Sequence, residues 1–213
     1  MSDSHDDIVY VVDDDPGIRE ALSMLLSSFD MRMVPFASAS EYMAFAKPDA
    51  PACLVLDLEL PDINGLDLQA QIADGDHPHV VFITGHGDIP SSVRAMRTGA
   101  IDFLTKPFRE ADLMRAIRAA LAQNRAERDK RGELADLRQR LSRLTPRERD
   151  VLPLVASGLL NKQAAAELGI SEVTLQIHRG SIMKKMEAAS LADLVRMAAM
   201  LEIPVTRSRH AQG

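Results

Sequence analysis

Five short apolar runs recur in the first half of the chain: Ile8 to Val12, Arg32 to Phe36, Cys53 to Leu56, Val80 to Ile83 and Ile101 to Leu104. Between them lie helical patterns. In Gly17 to Ser28 the residues Ile18, Leu22, Leu25 and Leu26 keep the three-and-four spacing of one buried stripe. Near-continuous apolar strands alternating with amphipathic helices predict a parallel sheet covered on both faces. Ligands of such sheets bind at the carboxyl ends of the strands.

The second half is helical throughout. Leu113, Ile117 and Leu121 stand four apart, and Leu134, Leu137, Leu141 and Leu144 repeat at three, four and three, which is the seam spacing of a coiled coil. The stretch Gln123 to Glu133 between them has almost no apolar face, and Gly132 weakens a helix by about 1 kcal/mol relative to Ala. Residues 109–143 therefore read as the last helix of the first domain running into a linker helix that pairs in a dimer, with a frayed linker as the alternative. Beyond it, Thr145-Pro146-Arg147-Glu148 supplies a hydroxyl cap, Pro at the first helical position and Glu at the third. Gly158 stops that helix. Asn161 is expected to cap a second one, ended by Gly169; Ser171 caps a third from Glu172 to Met186, and Ser190 caps a fourth reaching about Leu201. A Gly turn between the second and third short helices is the helix-turn-helix pattern.

Charge sharpens this division. The 213 residues have a net charge of −6. Residues 1–108 hold 6 Lys and Arg against 18 Asp and Glu, and residues 109–213 hold 19 against 13. A basic half beside an acidic one points to a polyanion partner for the former. The chain is 46% hydrophobic and 26% charged, a globular composition, with no apolar run near the roughly 18 residues of a membrane helix. Residues 1–7 carry Asp3, Asp6 and Asp7 and no basic residue, unlike an export signal, so a soluble cytoplasmic protein is expected. A single cysteine, Cys53, excludes an internal disulfide and a cysteine-based zinc site.

The strand ends carry the candidate chemistry. The first run ends in Asp13, Asp14 and Asp15, the third in Asp57 and the fourth in Thr84, while the fifth leads into Lys106-Pro107. In a parallel sheet these converge on one edge. Crowded carboxylates repel one another unless a cation neutralises them, and hard oxygen donors favour magnesium. A carboxylate beside a divalent cation can attack phosphorus to give an aspartyl phosphate, with a hydroxyl and an ammonium binding the phosphoryl oxygens.

The words Val11-Val12-Asp13-Asp14-Asp15-Pro16-Gly17-Ile18-Arg19, Leu56-Asp57-Leu58-Glu59-Leu60-Pro61-Asp62-Ile63-Asn64-Gly65, Ile83-Thr84-Gly85-His86-Gly87-Asp88 and Asp102-Phe103-Leu104-Thr105-Lys106-Pro107-Phe108 resemble the receiver domain of two-component response regulators, closest to the FixJ type. The resemblance implies a flavodoxin-like α/β receiver at 1–122, with a five-stranded parallel sheet of order 2-1-3-4-5. It further implies Asp57 as phosphoacceptor; Mg2+ held by Asp13, Asp14, Asp57 and the backbone carbonyl of Glu59; phosphoryl contacts from Thr84 and Lys106; and a switch through Thr84 and Phe103. Asp15 lies outside the family's acidic pair and reads as a solvated or helix-start charge. The Lys106-Pro107 bond resembles one that is usually cis in the family. Glu59 and His86, two residues after Asp57 and Thr84, either orient the water that hydrolyses the phosphate or point into solvent.

A second resemblance follows in Leu144-Thr145-Pro146-Arg147-Glu148-Arg149-Asp150-Val151-Leu152, Asn161-Lys162-Gln163-Ala164-Ala165, Leu168-Gly169-Ile170-Ser171 and Val173-Thr174-Leu175-Gln176-Ile177-His178-Arg179, which are similar to the LuxR or NarL-type DNA-binding domain. It implies an all-α, four-helix helix-turn-helix domain at 143–203, joined to the receiver by a helical linker at 123–142 and followed by a tail at 204–213. On that pattern Gln176 and Ile177 face bases, while Asn161, Lys162, Thr174, His178, Lys184 and Lys185 contact phosphates. Gln176 replaces a frequent basic residue and Gly180 has no side chain, so readout falls to a Gln176–adenine pair and to Ile177 against a thymine methyl. DNA shape then carries more of the recognition.

Together these imply a transcription factor controlled by phosphorylation of Asp57 by a sensor histidine kinase. It would dimerise when phosphorylated, bind a double-stranded operator and work with RNA polymerase, with no membrane partner. An enzyme of the haloacid-dehalogenase-like phosphohydrolase kind competes, but it places an Asp two residues after its nucleophile where this chain has Glu59. A third reading, a constitutive dimeriser without phosphate control, is opposed by the intact Asp13, Asp14, Asp57, Thr84 and Lys106 set.

Overall fold

The computed structural model describes residues 7–72, 77–85 and 89–204. The chain divides into two compact units after Arg128. The first alternates strands and helices: β1 (Ile8–Val12), α1 (Pro16–Ser28), β2 (Arg32–Phe36), α2 (Ala39–Ala44), β3 (Ala52–Asp57), α3 (Gly65–Ile72), β4 (His79–Thr84), α4 (Ile89–Arg97) and β5 (Asp102–Thr105). All strands pair in parallel, in the order β2-β1-β3-β4-β5. Because side chains alternate along a strand, β1 feeds two cores. Ile8, Tyr10 and Val12 face Leu54, Leu56 and Phe82 in one layer, whereas Val9 and Val11 join Cys53, Val55, Val81 and Ile83 beneath Leu22, Leu26, Leu113 and Ile117 in the other. That is why the strands read as unbroken apolar runs.

The following helix, α5 (Glu110–Ser142), is a single element that begins in the first unit and ends in the second, and it includes Gly132 without a break. Its polar stretch has a use. Asn124 is buried and its Oδ1 accepts the N–H of Ala52 at 3.0 Å, Arg125 pairs with Asp7 at 2.6 Å, His79 meets Glu127 at 3.1 Å and Arg128 bonds Asp49. Polar bonds to the amino-terminal edge of the sheet thus replace an apolar stripe. Asn124→Ala leaves the Ala52 N–H buried and unpaired, which should destabilise the first unit by about 1–3 kcal/mol. Both tyrosines, Tyr10 and Tyr42, lie in this unit and the chain has no Trp, so urea unfolding followed by tyrosine fluorescence isolates the effect. A loss below about 0.5 kcal/mol contradicts the assignment.

The second unit holds the end of α5 with α6 (Pro146–Ala156), α7 (Asn161–Leu168), α8 (Glu172–Met186) and α9 (Leu191–Met200). Thr145 caps α6 in a full capping box with Glu148, and Ser171 and Ser190 cap α8 and α9. Gly169 ends α7 at φ +65°, the left-handed turn that leads into α8. Asn161 is not the cap expected from the sequence: it is the first helical residue, Leu160 stands before it, and the Leu160 N–H is answered by the side chain of Gln163 at 3.0 Å. The leucine seam also has an internal use. Leu137 and Leu144 are buried, with Leu141 beside them, in a core with Val151, Leu152, Leu175, Ile182 and Leu194. Pro204 ends the described residues, and the basic run from Arg207 to His210 lies outside them.

Candidate functional site

Strand register builds the acidic site. Val12 pairs with Leu56, so the next residues of β1 and β3, Asp13 and Asp57, emerge side by side. Asp57 pairs with Ile83, which sets Thr84 one step further along β4, and Thr84 pairs with Thr105, which delivers Lys106. Four strands thus bring four sequence-predicted residues, Asp13, Asp57, Thr84 and Lys106, to one edge.

One oxygen from each of Asp13, Asp14 and Asp57 lies within 4.8 Å of the others. Asp13 is fully buried, Asp57 is 6% exposed and Asp14 is open to solvent. The Lys106 ammonium bridges the two buried carboxylates, at 2.7 Å from Asp13 Oδ2 and 2.6 Å from Asp57 Oδ2. Burial pushes the Asp13 acid above its usual range against the pull of Lys106. For Lys106 burial works downward, but bonds to Asp13 and Asp57 outweigh it and hold the ammonium above its ordinary value. The Lys106-Pro107 bond is cis, as expected, and the Lys106 N–H donates to the Thr84 carbonyl at 2.7 Å. Asp14, Asp15, Asp57, Glu59, Leu60, Pro61, Gly85 and Lys106 line an open depression of about 440 Å³.

Other expectations resolve individually. Asp15 is a helix start: its Oδ1 accepts the Gly17 N–H at 2.7 Å. Thr84 is fully buried and Phe103 is half-buried, its ring 5.9 Å from that of Phe82. Glu59 is exposed on the rim, while its backbone N–H donates to Asp57 Oδ1 at 3.2 Å. His86 lies outside the described residues.

Gly65 gains a role that its motif alone did not disclose. A Cβ there would sit 2.3 Å from the Asp57 carbonyl oxygen, because the loop after β3 folds back so that the Gly65 N–H bonds Leu58 at 2.8 Å. The Asn64-Gly65 pair was the available signal. Gly65→Ala must displace the backbone of Asp57, with an expected loss of about 1–3 kcal/mol. Urea unfolding by tyrosine fluorescence checks this, and an unchanged midpoint refutes the close approach.

On α8 the residues Val173, Gln176, Ile177, Gly180 and Lys184 are all exposed, at spacings of three, one, three and four that form one stripe. Ile177 is 67% exposed and Val173, which the sequence reading did not single out, 69%. Lys162 is exposed on α7; Thr174 and His178 are half-buried on α8. Asn161 accepts from Arg179 at 3.1 Å, tying the start of α7 to α8. Lys185 departs from its expected role: its ammonium faces inward onto buried Glu148, at 2.7 and 3.0 Å. Glu148 also accepts from Ser181 at 2.5 Å and from the Thr145 N–H at 2.7 Å. A buried carboxylate requires such partners, and Lys185 supplies the charge.

Family comparison agrees with both halves. The model for the response regulator receiver domain matches residues 9–118, and that for bacterial regulatory proteins of the luxR family matches residues 142–198. The chain belongs to the response regulators. This response regulator is 48% identical to nodulation protein W of Bradyrhizobium diazoefficiens, over 96% of its own length and 91% of that relative's. It is 40% identical to the transcriptional regulatory protein FixJ of Rhizobium meliloti, over 89% of its own length and 94% of the other's. The solved structure of the response regulator StyR superposes with a TM-score of 0.81 at 46% identity, covering 91% of this chain and 98% of that one. A receiver domain and a LuxR-type DNA-binding domain make the response regulator a transcription factor rather than a phosphohydrolase. Among the described residues no helix is long and apolar enough to cross a membrane.

Proposed function

We propose that this response regulator is phosphorylated on Asp57 by a sensor histidine kinase in the cytoplasm, and that the phosphoryl group controls dimerisation and binding to a two-fold symmetric operator. The observation that carries the reading is the Lys106 ammonium held between Asp13 and Asp57 at the rim of the depression. Asp57 would attack the phosphorus of a phosphohistidine. The new O–P bond replaces the N–P bond, and the imidazole leaves with the electron pair. Thr84 and Lys106 would bind the phosphoryl oxygens.

The donor set fits Mg2+, since Asp13, Asp14 and Asp57 bring hard oxygens together without nitrogen or sulfur. Those three residues and the Glu59 carbonyl would hold it. Bound there, the ion neutralises carboxylate and phosphoryl charge during transfer. Burial raises the Asp13 acid, and a cation beside it would offset that cost.

Phosphorylation can bias only a surface that differs between two states. Ile89 to Phe108 is the segment to which Thr84 and Phe103 report, and α4 within it exposes Ile89, Val93 and Met96. Two dimerised helix-turn-helix units would each set α8 in a major groove. Gln176 and Ile177 would then meet bases; Asn161, Lys162, Thr174, His178 and Lys184 phosphates; and the bound dimer would engage RNA polymerase. Lys185 holds Glu148 and through it the start of α6. The test is to incubate the full chain with Mg2+ and acetyl phosphate. One acid-stable, base-labile phosphoryl group per chain, mapped to Asp57, is the expected result; no adduct, or one mapped elsewhere, overturns the assignment.

A further inference from the structure

The loop between β3 and α3 is tied at both of its ends to the acidic site and at its middle to something else. Its first turn is held by the Glu59 N–H on Asp57, a bridge joins Glu59 to Asn64, and Gly65 closes onto Leu58. At the crest stands Asp62, whose carboxylate leaves the loop and accepts three hydrogen bonds from the start of α2. They come from the Ala39 N–H at 3.2 Å, the Ser40 N–H at 2.8 Å and the Ser40 hydroxyl at 2.7 Å. These partners are 22 and 23 residues away in sequence. The Ser40 hydroxyl holds the Asp62 acid below its ordinary range. Between Asp57 and Asp62 lie Glu59, Leu60 and Pro61, which form one wall of the depression.

We propose that Asp62 is a positioning residue for the metal and phosphoryl site: by clamping the β3–α3 loop to α2 it fixes the wall that carries Glu59, without itself touching cation or phosphate. A peptide carbonyl is an effective ligand only when its loop is held still, and groups that orient ligands in this way typically change metal affinity by about 10–100-fold when removed. Asp62 is exposed and belongs to none of the buried clusters, so its loss should leave the core of the receiver intact. The inference rests on the reading of Asp57 and its neighbours as a magnesium and phosphoryl site.

The test compares the full-length wild type with Asp62→Ala, Asp62→Asn and Ser40→Ala. Mg2+ is titrated while the amide resonances of Asp57 and Gly85 are followed, and acetyl phosphate labelling is timed at limiting and saturating Mg2+. Asp62→Ala should raise the half-saturating Mg2+ concentration about tenfold, with labelling slowed at limiting Mg2+ and close to wild type at saturation. Asp62→Asn, which retains an acceptor oxygen but no charge, should fall between, and Ser40→Ala should shift the midpoint about twofold. A merely structural role would lower the urea midpoint without separating the two labelling conditions. If Asp62→Ala does not fold, Ser40→Ala decides, and a midpoint equal to wild type then overturns the proposal. A folded Asp62→Ala whose Mg2+ midpoint lies within twofold of wild type overturns it too. If the wild type neither binds Mg2+ nor takes label on Asp57, the reading of the site itself fails, a result distinct from normal wild-type labelling with an indifferent Asp62→Ala.

Discussion

Asp57→Asn is expected to take up no phosphoryl group from acetyl phosphate under conditions that label the wild type fully. The substitution is nearly isosteric, and its one carboxamide oxygen can still accept from Lys106, which stands 2.6 Å from Asp57 Oδ2, while the longer 3.2 Å bond from the Glu59 N–H to Oδ1 is given up. The fold of the receiver is therefore retained. What disappears is the anionic oxygen: a neutral amide is a poor nucleophile towards phosphorus, and no product equivalent to an acyl phosphate forms from it. Asp13 does not substitute, since its side chain is fully buried with one oxygen on Lys106 and the other accepting the Asp15 N–H at 2.9 Å. Phosphate-affinity electrophoresis reads the outcome directly. Labelling of Asp57→Asn at the wild-type rate means that the acceptor is another residue.

Glu148→Ala should lower the stability of the helical unit by about 3 kcal/mol, a large share of what a unit of this size has. Glu148 serves two helices at once. It closes the capping box of α6 through Thr145, and it accepts from Ser181 and Lys185 on α8. Truncation leaves the half-buried Lys185 ammonium without its carboxylate and removes the link between α6 and α8. The pH dependence has a definite sign. Burial pushes the Glu148 acid up, but bonds from Lys185, Ser181 and Thr145 outweigh it and hold it at about 2, against an ordinary value of 4.5. A depressed acid in the folded state contributes stability that is present above pH 4.5 and lost as pH falls from there towards 2. The helical unit contains no aromatic residue, so its unfolding is followed by far-ultraviolet dichroism beside the tyrosine signal of the receiver. Wild type should lose stability across that acid window, and Glu148→Ala should show a flatter profile there. Parallel profiles would remove Glu148 as the cause.

The strand-end residues were legible because a parallel sheet leaves little freedom: once five apolar runs alternate with helices, Asp13, Asp57, Thr84 and Lys106 have one edge on which to meet. Caps at Thr145, Ser171 and Ser190 were equally readable, since each is a local hydrogen bond between near neighbours in sequence. Non-local partners were harder to see. Lys185 on an exposed-looking helix face and Glu148 in a capping box gave no sign in sequence that, 37 residues apart, they meet at 2.7 Å. Asn161 looked like a cap, but the backbone set Leu160 there and gave Asn161 to Arg179. The polar stretch around Asn124 resembled a linker because its bonds run to the sheet edge rather than along the helix. The Asp62 clamp depends on a turn that brings residues 39 and 40 under the loop, and no periodicity encodes such a meeting.

The stripe on α8 has a thermodynamic consequence. Val173, Gln176, Ile177 and Gly180 are uncharged, and of the nearby cations Arg179 is tied to Asn161 and Lys185 to Glu148. Counterions released on DNA binding are displaced by cations at phosphates and not by atoms at base edges, and on the proposed contacts those cations would be Lys162 and Lys184. On that proposal affinity and selectivity would reside on different atoms. Raising the ionic strength would then weaken every complex by a similar factor, while the ratio between a correct and an incorrect site would stay nearly constant.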